Sequence, residues 1–169
     1  MTPEESRLTQ RGVAIVAAHL RGDQAGRDIL VEQFVEAGMF PRLADAFTYA
    51  GIVAVDLAAT ALEEPFESLL REVVAQPDVK LVPGGRPPWA KAVQLADAAR
   101  RDNRAAAVVA STMDLADAVN ATFQLAVSAF VALEEVPQLA GRSAAEWATT
   151  VATSAAAGAG VDDERGKGS

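Results

Sequence analysis

Residues 43–64, LADAFTYAGIVAVDLAATALEE, and 115–135, LADAVNATFQLAVSAFVALEE, restrict the fold more than any other part of the chain. Each is apolar on nearly every side of a helix, so each needs enclosure by other elements and not a place at the surface. Each ends in a pair of glutamates and meets a proline within two residues, Pro65 in one case and Pro137 in the other. A chain of 169 residues buries about 70% of its unfolded surface on folding, enough to hide two such helices at the centre of a bundle. Aligned on LADA, Gly51 matches Phe123, Ala54 matches Ala126 and Ala58 matches Phe130. Small residues on one helix against rings on the other predict that Phe123 and Phe130 pack on the helix bearing Gly51, Ala54 and Ala58.

The rest of the chain is punctuated as helix. Thr2-Pro3-Glu4-Glu5 is a capping box with proline at the first helical position. The helix it opens ends at Gly22, and Asp23 caps a second that stops at Gly38. Pro41 and Pro65 open a third and a fourth. Gln76–Pro88, QPDVKLVPGGRPP, breaks the pattern, with Val79–Val82 as a short extended piece. Helices resume over Trp89–Asp102 and from about Ser111 or Asp114 to Glu135. Ser143-Ala144-Ala145-Glu146, a second capping box, starts a last helix ending near Ala157. No segment alternates like a strand. The expectation is an all-α, single-domain bundle of about seven helices over 1–157, with a mobile tail at 158–169.

The two LADA-to-ALEE helices raise the question of duplication, with halves 1–76 and 88–157 joined by a linker at 77–87. Matched helix ends, and helix pairs broken at Arg21-Gly22-Asp23 and Arg101-Asp102-Asn103, speak for it. Against it, LADA recurs at Leu95–Ala98, outside the correspondence, and tetrapeptides repeat readily in an alanine-rich chain.

Charge and composition exclude several classes of function. The net charge is −8, and no lysine or arginine occurs between Arg42 and Arg71 or between Arg104 and Arg142. A nucleic-acid or anionic-membrane surface needs a basic face, which this pattern lacks. Without cysteine there is no thiolate nucleophile and no cysteine zinc site. A cysteine-free chain with the polar N-terminal segment MTPEESRLTQRG reads as cytoplasmic. The longest apolar run, Ala118–Leu133, is interrupted by Asn120 and Gln124 and falls short of the roughly 20 residues that span a bilayer. Scarce lysine and asparagine point to a GC-rich bacterial source.

Short motifs carry little chemistry here. Arg21-Gly22-Asp23 spells an adhesion tripeptide but reads as a helix stop followed by a cap. Asn120-Ala121-Thr122 lies mid-helix, and Gly166-Lys167 fails the phosphate-loop pattern. A single histidine, His19, cannot complete a di-iron or His-rich zinc site, so no metal and no cofactor is expected. In the last turn of its helix, the imidazolium form would be favoured by the dipole. Asp56 interrupts an otherwise apolar stretch and must be solvated, paired with a group such as Arg42 or His19, or protonated. Glu63/Glu64 and Glu134/Glu135 sit at helix C-termini, where acids are mildly unfavourable unless they meet a partner.

Three functions are weighed. The leading one is a non-catalytic helical interaction protein that self-associates or docks another helix. The last helix has Glu146 as its sole charge up to Ala157, which predicts a homodimer through the C-terminal half, with Ala148 and Val151 at the interface. Trp89 is a candidate anchor for a protein partner. The runner-up is a bundle holding a small apolar ligand in an internal pocket near Asp56, with Tyr49 and His19 as further polar contacts. A carboxylate-based enzyme comes third.

Overall fold

The structure, a computed structural model, describes residues 2–73, 81–82 and 89–167, with side chains described through residue 155 except at 89 and 103. The described residues form eight α-helices and no strand: α1 Pro3–Leu20, α2 Gln24–Glu36, α3 Arg42–Leu62, α4 Phe66–Val73, α5 Trp89–Arg101, α6 Asn103–Ser111, α7 Leu115–Glu134 and α8 Ala144–Lys167, with a 3-10 turn at Pro137–Leu139. The architecture is an all-α helical bundle.

The helix boundaries follow the caps. The Thr2 hydroxyl accepts from the Glu5 amide at 3.1 Å, and the Glu5 carboxylate accepts from the Thr2 amide at 2.8 Å, so both halves of the capping box form. Gly22 takes a left-handed φ of 76° at the end of α1, and the Asp23 carboxylate accepts from the Gly26 amide at 2.9 Å to start α2. The adhesion-like tripeptide is a helix stop and a cap. At the start of α8 the Ser143 hydroxyl accepts from the Glu146 amide. The Ala144 amide donates to Glu134 at the end of α7. An acid that the dipole of α7 disfavours is thereby matched to the positive end of α8. The α3 C-cap is Glu63, at φ 54°. α8 runs to Lys167, past the end predicted near Ala157. Glycine inside a helix costs about 1 kcal/mol relative to alanine but does not forbid it.

α3 and α7 are the central pair. Phe47 meets Phe123 at a centroid distance of 5.1 Å. A Cβ built on Gly51 would lie 3.3 Å from Leu125 Cγ and 3.6 Å from Ala126 Cα. Further on, Ala58 and Leu62 share a depression with Ser128, Ala132 and Val136. Contacts advance together along both helices, so the two run parallel. Phe123 and Phe130 are fully enclosed, as the apolar pattern requires. The detail differs from the prediction: the slot at Gly51 takes Leu125, and the Phe123 ring rests on Phe47.

The order of packing repeats between α1–α4 and α5–α8. α1 packs on α2 and α3, and α5 packs on α6 and α7. α3 meets α4 as α7 meets α8, and α1 meets α8 as α4 meets α5. The exchange is unequal in extent, since α8 packs on α1 far more extensively than α4 packs on α5. α4 also packs on α7, whereas among the described residues α8 makes no comparable packing on α3 and lies along α1 instead.

By length and composition both central helices are long and apolar enough to cross a membrane, although the uninterrupted apolar run within α7 is shorter. Here they are core helices, with 61% of the apolar window of α3 and 72% of that of α7 buried inside the bundle. Of the linker at 77–87, Leu81 and Val82 alone are described, and the extended piece expected at Val79–Val82 otherwise lies outside the described residues.

Candidate functional site

The residues singled out from the sequence do not converge. His19, one residue from the end of α1, is half-buried with its ring edge-on to Phe123 at 5.1 Å. Arg27 stands 3.1 Å from His19 Nδ1. A guanidinium can only donate, so Nδ1 accepts and the ring is neutral in this contact. Burial first, and the Arg27 charge second, hold the imidazole pKa below its ordinary value. The imidazolium expected from the helix dipole is therefore disfavoured, by burial first and by the neighbouring Arg27 cation second.

Tyr49 faces a cleft of about 390 Å³ between the first turns of α1 and α3 and the alanines of α5 and α6, Ala99, Ala106, Ala107 and Ala110. Arg42 spans the cleft, 2.8 Å from Glu4 and 3.5 Å from Asp45. Burial raises the Asp45 pKa against the opposing pull of Arg42. Burial, reinforced by Glu5 and Asp45, raises that of the Tyr49 phenol. Three carboxylates, Glu4, Glu5 and Asp45, face the single Arg42 guanidinium, so the cleft's charged lining is net negative.

Asp56 is neither deeply buried nor paired with Arg42 or His19. Its carboxylate lies 3.2 Å from Arg100 of α5, with the side chains 45% and 40% exposed. The same guanidinium sits 4.1 Å above the ring of Phe66 in α4. Asp56 thus ties α3 to α5 across the face of α4, at a strength of about 0.2–1 kcal/mol for so exposed a pair. No internal pocket opens there: the hollow beside Asp56 is an open depression with Val53, Leu57, Thr60, Ala61 and Leu139.

Val53 and Leu57 lead from that depression into a second groove of about 370 Å³, between α1, α3 and α8. Ser6 and Thr9 form one side, Val53 and Leu57 the floor, and Trp147, Thr150, Val151, Ser154 and Ala155 the other side. It exists because α8 lies along α1. Val53 and Leu57 stay partly exposed, while the residues 72 positions on, Leu125 and Ala129, are 0% and 1% exposed. Trp147 Nε1 is buried with no acceptor among the described residues. An indole N–H can only donate, and leaving it unmatched costs about 1–3 kcal/mol. Over the Trp147 ring stands Arg142, at 4.9 Å.

Of the expected partner-binding residues, Ala148 is 0% and Val151 7% exposed within the chain itself. They are packed by α8 lying on α1, so they do not form the exposed patch from which a homodimer is expected. Val151 instead walls the groove. The side chain of Trp89 lies outside the described residues.

Sequence reasoning passed over two functional or structural groups. Trp147 carried no signal beyond its type. Asn120 is fully buried on α7: its Oδ1 accepts from the amides of Leu81, at 3.0 Å, and Val82, at 2.8 Å, and its Nδ2 donates to the Val82 carbonyl at 2.7 Å. A lone amide in an apolar helix signals such a clamp, because buried polar groups are almost always partnered. Among the described residues, no group of three or more His, Asp or Glu side chains is placed to hold a metal ion. Comparison with protein-family models, with curated proteins and with solved structures finds no match to this chain.

Proposed function

We propose that this chain acts by binding and not by catalysis: a helical docking protein whose groove between α1, α3 and α8 receives a hydrocarbon-rich ligand. The observation that carries the reading is the uncovered Val53–Leu57 floor, bordered by a buried indole N–H without an acceptor. A groove of about 370 Å³ falls within the roughly 300–1,000 Å³ usual for small-molecule sites, which are mostly apolar with a few polar groups. The runner-up reading from the sequence is thus preferred to self-association, with the ligand in an open groove adjoining Asp56. Catalysis has less support. Asp56, Glu4 and Asp45 all face arginines, and the one histidine is engaged by Arg27. A cytosolic setting belongs to the same proposal and draws on the cysteine-free composition.

The test is a neutral apolar fluorophore such as N-phenylnaphthylamine, titrated into the full chain. Its fluorescence should rise on binding, and Leu57→Glu and Val53→Glu should each weaken binding at least tenfold while the helical circular dichroism is kept. Equal binding by wild type and both variants would remove the groove from consideration.

A further inference from the structure

Resting on the groove reading above, we infer that the ligand is a single-chain amphiphile with an anionic head, of the free fatty-acid class, and that Arg142 and Arg21 hold the head. The groove has a polar end. Thr150 lines both it and a neighbouring depression formed by Arg21, Arg142, Ser143, Ala145, Glu146 and Thr149. Arg142 Nη1 donates to Thr150 Oγ1 at 3.2 Å, and Arg21 Nη1 approaches Thr149 Oγ1 at 3.5 Å. Both guanidiniums are thereby held by hydroxyls on adjacent residues of α8. Neither is ion-paired among the described residues, although the chain carries eight more acids than bases. Of the residues lining that depression, Glu146 is the one acid. It leaves a net excess of one positive charge, suited to a monoanion.

Geometry couples head and tail. Arg142 lies over the face of Trp147, and Trp147 borders the apolar floor. A carboxylate at Arg142 would set the first methylenes against the indole and the rest along Val53, Leu57, Val151 and Ala155. A carboxylate accepts from a guanidinium in a charge-assisted bond, the strong kind. The N-terminal amides of α8 contribute little, since Ser143 and Glu134 already accept from two of them. One groove of this size takes one chain, which favours a free amphiphile over a bilayer surface.

The experiment titrates the full chain with dodecanoate and dodecanol, each below its aggregation limit, and with phosphatidylglycerol vesicles. Calorimetry reads affinity, and the Trp147 indole N–H resonance, assigned with Trp147→Phe, reads position. Dodecanoate should bind one to one, at least tenfold more tightly than dodecanol, and should shift the Trp147 resonance. Arg142→Gln, which cannot pair with a carboxylate, should abolish that tenfold preference, and Arg21→Gln should reduce it, each by lowering dodecanoate affinity more than dodecanol affinity. Equal affinity for acid and alcohol, or a preference surviving both substitutions, overturns the head-group assignment while leaving the groove intact if Leu57→Glu still weakens both ligands. Binding to vesicles without binding to free dodecanoate overturns it in favour of a membrane surface. Absence of binding by any of the three sinks this inference and the groove reading together.

Discussion

Gly12 is where α1 crosses α3, and the crossing admits no side chain. A Cβ at this position would stand 2.6 Å from the carbonyl oxygen of Ala46, 2.8 Å from its carbonyl carbon and 3.1 Å from its Cβ. Atoms attract best near about 3.5–4.0 Å, so Gly12→Ala forces the helices apart by a sizeable fraction of an ångström. Neither helix can yield locally: the obstacle is backbone, and Val13, Ile15, Val16, Leu43 and Phe47 around it are fully buried. Two effects oppose each other. Alanine is favoured over glycine within a helix by about 0.8–1.0 kcal/mol, while overpacking a dense core costs about 1–3 kcal/mol. Because the clash is with backbone, the upper half of that range applies, and a net loss of about 1–2 kcal/mol is expected. In a chain of this size that lowers Tm by about 2–8 °C. Gly51→Ala is the control, because its new Cβ would meet the flexible Leu125 side chain at 3.3–3.4 Å. There propensity and crowding should cancel to within about 1 kcal/mol. Thermal and urea unfolding followed by circular dichroism measures both. A Gly12→Ala protein as stable as wild type, or more stable than Gly51→Ala, would refute the close crossing.

Three further outcomes are expected. Asn120→Leu strands the amides of Leu81 and Val82 and the Val82 carbonyl, each unmatched group costing about 1–3 kcal/mol if it stays buried; hydrogen exchange should show those two amides losing protection before the α7 core does. The folded His19 pKa lies below its ordinary value of 6.5, so the unfolded chain binds its proton first. This contribution to stability is full above about pH 6.5 and is lost as pH falls toward the folded value; unfolding curves between neutrality and about pH 5 should show that loss in wild type and not in His19→Gln. Glu63→Gly relieves a left-handed backbone that costs a non-glycine residue about 1–2 kcal/mol and should raise Tm by about 2–8 °C, a rise that Glu63→Ala should not reproduce.

The central helices were legible because apolarity on all sides leaves one physical solution, enclosure. The caps at Thr2, Asp23 and Ser143 were legible because they are local: side chain and amide lie within three residues. What escaped the sequence depends on distance along the chain. Asp56 finds Arg100 forty-four positions away, and no spacing rule links a half-exposed carboxylate to a cation on another helix. His19 read as a helix-end cation because Arg27 belongs to the next helix. Ala148 and Val151 read as a surface for a second copy because an alanine- and valine-bearing face needs a cover, and sequence alone does not say that α1 provides it. Glu63 hid for a different reason, since a left-handed C-cap usually announces itself as glycine.

The groove lies where the packing of α4 and that of α8 differ. α4 has eight residues, and its buried face, Phe66, Leu69, Leu70 and Val73, is spent on the central helices, while of the α7 residues aligned with Val53 and Leu57 by the LADA register, Leu125 is enclosed in the slot at Gly51 of α3 and Ala129 is buried as well. α8 is three times as long and buries Ala148 and Val151 chiefly through its packing on α1. Its small residues let it approach α1 closely, and the hydroxyls of Ser6, Thr9, Thr150 and Ser154 line the hollow it leaves. That closeness draws α8 away from α3 and uncovers the Val53–Leu57 floor. The same placement carries Trp147 to the groove's side and sets Thr149 and Thr150 within reach of Arg21 and Arg142. Apolar floor and cationic rim therefore share one cause, the seating of α8 on α1. A substitution that tilts α8 toward α3 would close the floor and disperse the two arginines in a single movement.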